Sequence, residues 1–101
     1  MANPQDLDDY EFLDAVQKRI DKPQKWCKDQ NRSVSGRVCL SQAVREVFPQ
    51  GPYGTRGRLR DLLLGRNSWT HLSTFNDDET TTHKVLMQKF EEAKARTKQV
   101  H

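Results

Sequence analysis

The densest group of residues able to do chemistry is a basic run, in which Arg56, Arg58 and Arg60 alternate with Gly57 and Leu59. A guanidinium group presents several N–H donors in one plane and can bind a phosphate or carboxylate through two parallel hydrogen bonds. The run therefore predicts a binding site for an acidic protein surface or for an anionic small ligand such as a nucleotide. Lys28, Arg37 and Arg66 are further candidates for this site.

The same arginines fit a second hypothesis, that of a DNA- or RNA-binding protein, because Trp69 could stack on a base. The stretch from Leu59 to Phe75 also has the outline of a helix-turn-helix, with Gly65 in the turn. In that motif apolar residues usually follow the turn glycine by about six and nine positions, whereas Leu72 and Phe75 follow it by seven and ten. The register is displaced by one residue, which argues against this motif.

A third hypothesis is a small thiol-dependent hydrolase, since the chain contains the residue types of a nucleophile, a base and an orienting group. The candidates are Cys27 or Cys39, His71 or His83, and Asn76 or Asp77. Nothing in their spacing brings them together, and buried structural thiols are the commoner outcome. The two cysteines are twelve residues apart, as are these two histidines, so no close ligand pair predicts zinc. No metal or other cofactor is expected.

Residues 72–80 combine the end of an apolar helical face with a cluster of polar side chains. Asn76, Asp77, Asp78 and Glu79 could present oxygen atoms to a cation, but they lack the pattern of a calcium-binding loop. Short polar residues and acids are also typical of a junction that ends one helix and caps the next. We therefore interpret this stretch as a helix junction, with Phe75 as its anchor.

Charge is distributed unevenly along the 101-residue chain, whose net charge is +3. Residues 1–17 carry five acids and no Lys or Arg, whereas residues 18–66 carry twelve Lys or Arg against four acids, a net +8. Such asymmetry favours an anionic partner, although the acidic first helix could neutralise the basic segment internally. The sequence does not decide between an anionic partner and internal neutralisation. It also leaves open whether the protein forms a homo-oligomer.

The composition argues against a membrane-spanning protein and against a secreted, disulfide-rich protein. Hydrophobic residues make up 34% of the chain, and no apolar run is long enough to cross a bilayer. The acidic N-terminus does not resemble a signal peptide, and two cysteines are too few for a disulfide scaffold. We expect a protein without membrane contact in the cytoplasm of a bacterium or of an infected host cell.

Apolar residues recur at three- and four-residue steps, which predicts an all-α fold. We expect a single domain over residues 1–101, ordered from about residue 6 to 96, with four main helices and a short fifth helical turn. Trp26 is expected to pin a polar loop to the core. The inward faces are Leu7 to Ile20, Leu40 to Phe48, Leu59 to Leu63, Trp69 to Phe75, and Val85 to Ala93.

Capping residues and breakers predict where these helices begin and end. Asp6, Ser35 and Thr55 are predicted to cap the first three helices, which end near Pro23, at Phe48 before Pro49, and at a left-handed Gly65. Asn76 is predicted to end the short helix in the left-handed conformation. Asp77, Asp78 or Thr80 is predicted to start the last helix.

Several landmarks occur in an informative order. Trp26 follows the first predicted helix, Cys39 opens the second, and Phe75, Asn76 and Asp77 precede the last. This order resembles a family of small bacterial and phage proteins classed as a domain of unknown function. The resemblance covers most of residues 10–95, with Phe75 in place of a commoner Trp. It implies one compact domain of microbial or viral origin, and it supplies no catalytic residue.

Taken together, the sequence favours a non-catalytic binding module that uses its basic middle segment. The resemblance to a family with phage members suggests that a protein of this kind could act in counter-defence against its host.

Overall fold

The computed structural model describes residues 4–29, 33–49, 54–66, 68 and 70–98, and the regular secondary structure within them is helical apart from one isolated bridge. The all-α prediction of four main helices and a short fifth is confirmed. The five helices are α1 (Asp9–Arg19), α2 (Leu40–Val47), α3 (Thr55–Leu64), α4 (Leu72–Asp77) and α5 (His83–Lys98). The predicted landmark Trp69 lies outside the described residues.

The N-cap of helix α1 lies two residues after the predicted one. Asp8 caps it, accepting a hydrogen bond from the amide of Glu11 at 2.8 Å, while the Glu11 side chain accepts one from the amide of Asp8. This reciprocal pair satisfies two donors at the helix start. Asp6 lies instead in a 3-10 turn, Pro4–Asp6, so its predicted role was wrong. The helix ends at Arg19, and Ile20 follows as a buried C-cap.

Helix α2 begins at Leu40 because the chain before it adopts extended and turn conformations. Val38 forms a parallel bridge with Trp26, and Cys39 then caps the helix by accepting from the Gln42 amide at 3.5 Å. The predicted cap, Ser35, lies in a turn in which Gly36 has φ +86°. The extended pairing of this segment takes precedence over the local capping preference of a serine.

Three boundary predictions for the later helices also need correction. Gly54, with φ +87°, occupies the N-cap position of α3, so that Thr55 is the first helical residue and is buried. Gly65 ends α3 with a positive φ, but its ψ of 149° is extended rather than left-handed helical. The last helix begins at His83, where Thr82 accepts from the amide of Val85 at 3.1 Å.

One core joins all five helices. Helix α1 packs most extensively against α5, and α2 lies between α1 on one side and α3 and α4 on the other. The stacked rings of Phe12 and Phe48, 5.2 Å apart, join α1 to the end of α2. The fully buried members of the core are Phe12, Leu13, Val16, Ile20, Val38, Leu40, Ala43, Val44, Leu59, Leu86 and Phe90. This packing places both α3 and α4 against α2.

Candidate anion-binding site

The three arginines of the basic run do not share one face of α3. Arg58 points toward the N-terminal segment, where its guanidinium donates to the carbonyls of Pro4 at 2.8 Å and Leu7 at 2.9 Å. It also forms an ion pair with Asp9 at 2.9 Å and lies over the ring of Phe12, 4.4 Å from the centroid. Arg58 therefore fastens α3 to the start of α1, and its binding capacity is used within the fold.

Arg56 and Arg60 lie one helical turn apart and both line a cleft between α2, α3 and α4. Ser41 contributes from α2, while His71 and Ser73 contribute from the start of α4. The cleft has a volume of about 320 Å³. We call it the basic cleft, and its lining residues are Ser41, Arg56, Gly57, Arg60, His71, Leu72 and Ser73.

The two cleft arginines have unused hydrogen-bonding capacity, in contrast to Arg58. Arg60 forms one ion pair, with its neighbour Asp61 at 3.4 Å, and its buried Nε–H has no acceptor within the described residues. Arg56 is exposed, and its guanidinium has no hydrogen bond or ion pair in the described part of the chain. None of the residues that line the basic cleft is acidic. The cleft is therefore a concentration of positive charge and unpaired donors.

The remaining predicted binding residues lie elsewhere. Lys28 donates its ammonium group to the carbonyls of Asp78 and Thr81, so it ties the loop after Trp26 to the segment before α5. Arg37 is exposed at the end of a turn, and its backbone bonds to Ser33. Arg66 is exposed beyond α3 and lines a different groove. Of the six predicted residues, Arg56 and Arg60 share the basic cleft, whereas Arg58 and Arg66 share the other groove, which Asp9 and Asp61 also line.

The walls of the basic cleft are held together by a buried asparagine on α4. Asn76 is 1% exposed, and its Oδ1 accepts from the indole Nε1 of Trp26 at 2.6 Å and from the Leu40 amide at 3.1 Å. Its Nδ2 donates to the carbonyl of Cys27 at 3.1 Å and to the carboxylate of Asp77 at 2.9 Å. We call these contacts the Asn76 network. They join α4 to the N-terminus of α2 and to the loop around Trp26.

The Asn76 network corrects one prediction and explains several landmarks. Asn76 lies inside α4 and does not have a positive φ, so it does not end that helix in a left-handed turn. Asp77 extends the network by accepting from the amide of Asp29 at 2.7 Å. Trp26 does pin its loop to the core, as predicted. Phe75 is half-buried and packs against the core.

Asp78 also has a structural role in the junction before α5. Its carboxylate accepts from the hydroxyl and the amide of Thr80, at 2.6 and 2.8 Å, and these hydrogen bonds lower the pKa of Asp78. The polar residues of this junction thus bond mainly to one another and to the backbone. Within the described residues, no group of three or more His, Cys, Asp or Glu side chains could hold a metal ion.

The cysteines have contacts that suit structural thiols. Cys27 is buried and donates its Sγ–H to the Arg37 carbonyl at 3.4 Å, and burial raises the pKa of this thiol. Cys39 is buried at the cap of α2. His83 bonds through Nε2 to the carbonyl of Ile20 at 2.8 Å, while His71 lies in the basic cleft. A raised pKa favours the unreactive thiol, so this geometry lends no support to a thiol nucleophile.

The helix-turn-helix alternative also lacks support. Residues 65–71 separate α3 from α4, whereas that motif joins its helices by a turn of roughly three or four residues. Helix α4 has six residues, and it buries Leu72 and Asn76. It is therefore too short to act as a recognition helix.

Sequence reasoning missed the partners that complete the basic cleft, namely Ser41, Gly57 and Ser73. The four-residue spacing of Arg56 and Arg60 was a usable signal, because residues at i and i+4 share one face of a helix. Ser41 and Ser73 lie 32 positions apart in the chain, and no local pattern joins them. Only the packing of α4 against α2 brings them to the same site.

Comparison with known families agrees with the resemblance seen in the landmarks. The model of a family of unknown function, DUF6197, matches residues 4–96, so the chain belongs to this family. No curated protein and no solved structure matches the chain. No helix in the described residues is long and apolar enough to cross a membrane. The family assignment therefore covers nearly all of the chain but gives no function. Any function has to be argued from the geometry of the site.

Proposed function

We propose that the chain is a non-catalytic binding module, and that the basic cleft holds an anionic group of its ligand or partner. The observation that carries this proposal is the state of the two cleft arginines. Arg56 has no acceptor, and Arg60 has a buried Nε–H without one, among the described residues. An anion in the basic cleft would accept hydrogen bonds from the solvent-accessible N–H groups of these two guanidiniums.

The surroundings of these arginines support the same proposal. Arg58 shows that a guanidinium in this helix can be fully paired by the fold, because it has carbonyl, carboxylate and aromatic partners. Of the acids near α3, Asp9 and Asp61 line other grooves, and Asp61 pairs with Arg60 at 3.4 Å. The lining of the basic cleft itself holds no acid.

The proposal is tested by titrating the isotopically labelled chain with two anions, inorganic phosphate and a hexaglutamate peptide, in separate experiments. We expect at least one of them to shift the backbone amide signals of Ser41, Gly57 and Ser73 in a saturable way. The double variant Arg56→Gln/Arg60→Gln should lose these shifts, whereas the matched variant Arg37→Gln/Arg66→Gln should keep them. Shifts that survive in the first variant, or no shift with either anion, would refute the proposal.

The nucleic-acid alternative has less support, because Arg58 and Lys28 are committed to internal contacts. Its distinctive requirement is a row of cations along a backbone, which gives binding that weakens steeply as salt rises. A gel shift with duplex DNA at low salt, lost in the Arg56→Gln/Arg60→Gln variant, would revive it. Microbial or phage origin, a cytoplasmic location and a role in counter-defence stay predictions that these residues do not test.

A further inference from the structure

We infer that the ligand group bound in the basic cleft is a phosphate monoester of a small molecule, rather than a carboxylate of an acidic protein or a phosphodiester of nucleic acid. This inference rests on the proposed function and narrows it to one ligand class. It depends on the number of donors, the charge, the size of the cleft and the presence of a glycine on its wall.

The number of donors exceeds what a carboxylate needs. Side chains from three elements surround the basic cleft, with two guanidinium groups, two hydroxyls and one imidazole. A carboxylate has two oxygens, and a single arginine can satisfy both through a bidentate pair. A phosphate monoester has three terminal oxygens, each able to accept more than one hydrogen bond. Five donor side chains around one small cleft therefore match the larger set of acceptors.

The charge of the basic cleft leads to the same ligand class. Arg56 and Arg60 supply two permanent positive charges, and no acid lines the cleft. A phosphate monoester carries about −1.5 to −2 at pH 7, which neutralises both arginines. A carboxylate or a phosphodiester carries a single negative charge, which is less than the charge of the two guanidinium groups, although Asp61 beside the cleft also pairs with Arg60 at 3.4 Å.

The size and position of the cleft favour a single phosphate over a strand. Its volume of about 320 Å³ lies at the small end of the roughly 300–1,000 Å³ typical of small-molecule pockets. Exposed Arg56, His71 and Ser73 line it, so the rest of the ligand can extend into solvent. The neighbouring cation Arg58 is bound to the N-terminal segment, and Arg66 lies beside another groove. Neither Arg58 nor Arg66 therefore extends the charge of the cleft toward a nucleic-acid backbone.

Gly57 gives independent support, because the fold itself does not require a glycine there. A methyl group added at this position would meet no atom within 4 Å, and its φ is not in the left-handed region. Glycine within a helix costs roughly 0.5–1 kcal/mol relative to alanine. A residue that weakens α3 and leaves open space on the cleft wall is what close approach of a ligand would need.

The experiment compares three probes of graded chemistry, phenyl phosphate, benzoate and dimethyl phosphate, each titrated onto the full chain. We expect phenyl phosphate to shift the amides of Ser41, Gly57 and Ser73, with an affinity at least about tenfold higher than that of the other two probes. Arg56→Gln and Arg60→Gln should each weaken phenyl phosphate binding by about tenfold, and Arg66→Gln should leave it unchanged.

The outcomes separate this inference from the proposed function. If benzoate or dimethyl phosphate binds as tightly as phenyl phosphate, the ligand class is wrong. If hexaglutamate shifts the cleft amides in a way that depends on Arg56 and Arg60, but phenyl phosphate does not, the proposed function survives and this inference fails. If none of these anions shifts the cleft amides, both fail. Unchanged phenyl phosphate binding in Arg56→Gln and Arg60→Gln would also overturn both.

Discussion

The Asn76 network and the basic cleft lie at opposite ends of the short helix α4 and have opposite properties. Asn76 is almost fully buried, and both ends of its amide have protein partners. At the other end of the helix, Ser73 shares a cleft with Arg56 and Arg60, whose donors are largely unpaired. Complete pairing indicates a structural role, whereas concentrated unpaired donors indicate a surface made for a ligand.

The comparison teaches that the residues that carry the sequence resemblance are not the residues that point to a ligand. Trp26, Asn76 and Asp77, which carry the resemblance, belong to the Asn76 network. They fasten α4 to α2 and so place Ser73 near Ser41. The landmarks thus act on the basic cleft indirectly, by fixing its walls.

The largest effect is expected from breaking the Asn76 network. Asn76→Ala would leave the Trp26 indole N–H, the Leu40 amide and the Cys27 carbonyl without their present partner. Because each buried group left unpaired costs roughly 1–3 kcal/mol, we expect a loss of about 3–5 kcal/mol in the free energy of unfolding. Urea denaturation measures it, with the exposed α4 variant Thr74→Ala as a control that should change little. A loss below about 1 kcal/mol would contradict the structural role of this network.

A second difference is expected between two arginines of the same helix. Arg58→Gln removes an ion pair, two hydrogen bonds to carbonyls and the contact with Phe12, and should cost about 2 kcal/mol of stability. Arg56→Gln removes no contact within the described residues and should change the stability by less than about 0.5 kcal/mol. Thermal and urea unfolding of the two variants provide the comparison. Equal losses would mean that the two arginines do not have separate structural and binding roles.

The contact between α1 and α5 lies outside the Asn76 network and the basic cleft. Its contribution to stability depends on pH, so it can be compared with the effects of the other substitutions. Lys94 is 9% exposed and pairs with Asp14 at 2.7 Å. Hydrogen bonds from Lys94 and Lys18 lower the pKa of Asp14 below its usual 3.8. Burial acts to lower the pKa of Lys94, but the hydrogen bond to Asp14 and the nearby negative charges together outweigh it and raise this pKa above 10.5.

The signs of these shifts set the expected pH profile. The contribution of Asp14 is complete above pH 3.8 and disappears as the pH falls through its lowered pKa. The contribution of Lys94 is complete below pH 10.5 and disappears as the pH rises through its raised pKa. Between these limits Asp14→Asn should cost about 1–2 kcal/mol, reduced from the value of a fully buried pair because Asp14 is 32% exposed.

Urea unfolding across the pH range checks this profile, and Asp21→Asn is the matched control. Asp21 pairs with Lys25 at the surface, so its removal should have a smaller effect than that of Asp14. The difference between wild type and Asp14→Asn should vanish in acid. A difference that stays constant through acid pH would show that the pair does not contribute through its charge.

The smallest change in stability is expected from a substitution at the wall of the basic cleft. Unlike the substitutions above, it should stabilise the protein. Gly57→Ala should raise the free energy of unfolding by about 0.5–1 kcal/mol, because alanine favours the helix and the added methyl meets no atom. The same methyl should weaken phenyl phosphate binding by narrowing the approach to the cleft. Calorimetric unfolding and amide titration of one sample would test both effects. A variant that gains stability and keeps full affinity would remove Gly57 from the proposed site.

The sequence predicts the helices well, because their apolar faces are regular and buried residues such as Leu13, Val44 and Leu86 fall on them. It predicts helix boundaries less well, since capping is decided by neighbours that are distant in the chain. Ser35 has the chemistry of a cap, yet the pairing of Val38 with Trp26 delays α2 to Leu40. Local preferences could not reveal this bridge.

The candidate site was only partly predictable for the same reason. Arg56 and Arg60 could be identified from composition and spacing, but Arg58 could not be distinguished from them without knowing that the N-terminal segment covers it. The role of Asn76 was also hidden, because its partners Trp26 and Leu40 are 50 and 36 positions away. Long-range hydrogen bonds decide which polar residues belong to the fold and which stay available.

The most direct test of these separate roles measures binding and stability together in the Arg56→Gln/Arg60→Gln variant. Phenyl phosphate is titrated onto the labelled variant and the wild type, and urea unfolding is recorded for both. We predict that the variant loses the shifts at Ser41, Gly57 and Ser73 while its free energy of unfolding stays within about 1 kcal/mol of the wild type. Binding that persists in this variant would contradict the assignment of ligand binding to the basic cleft.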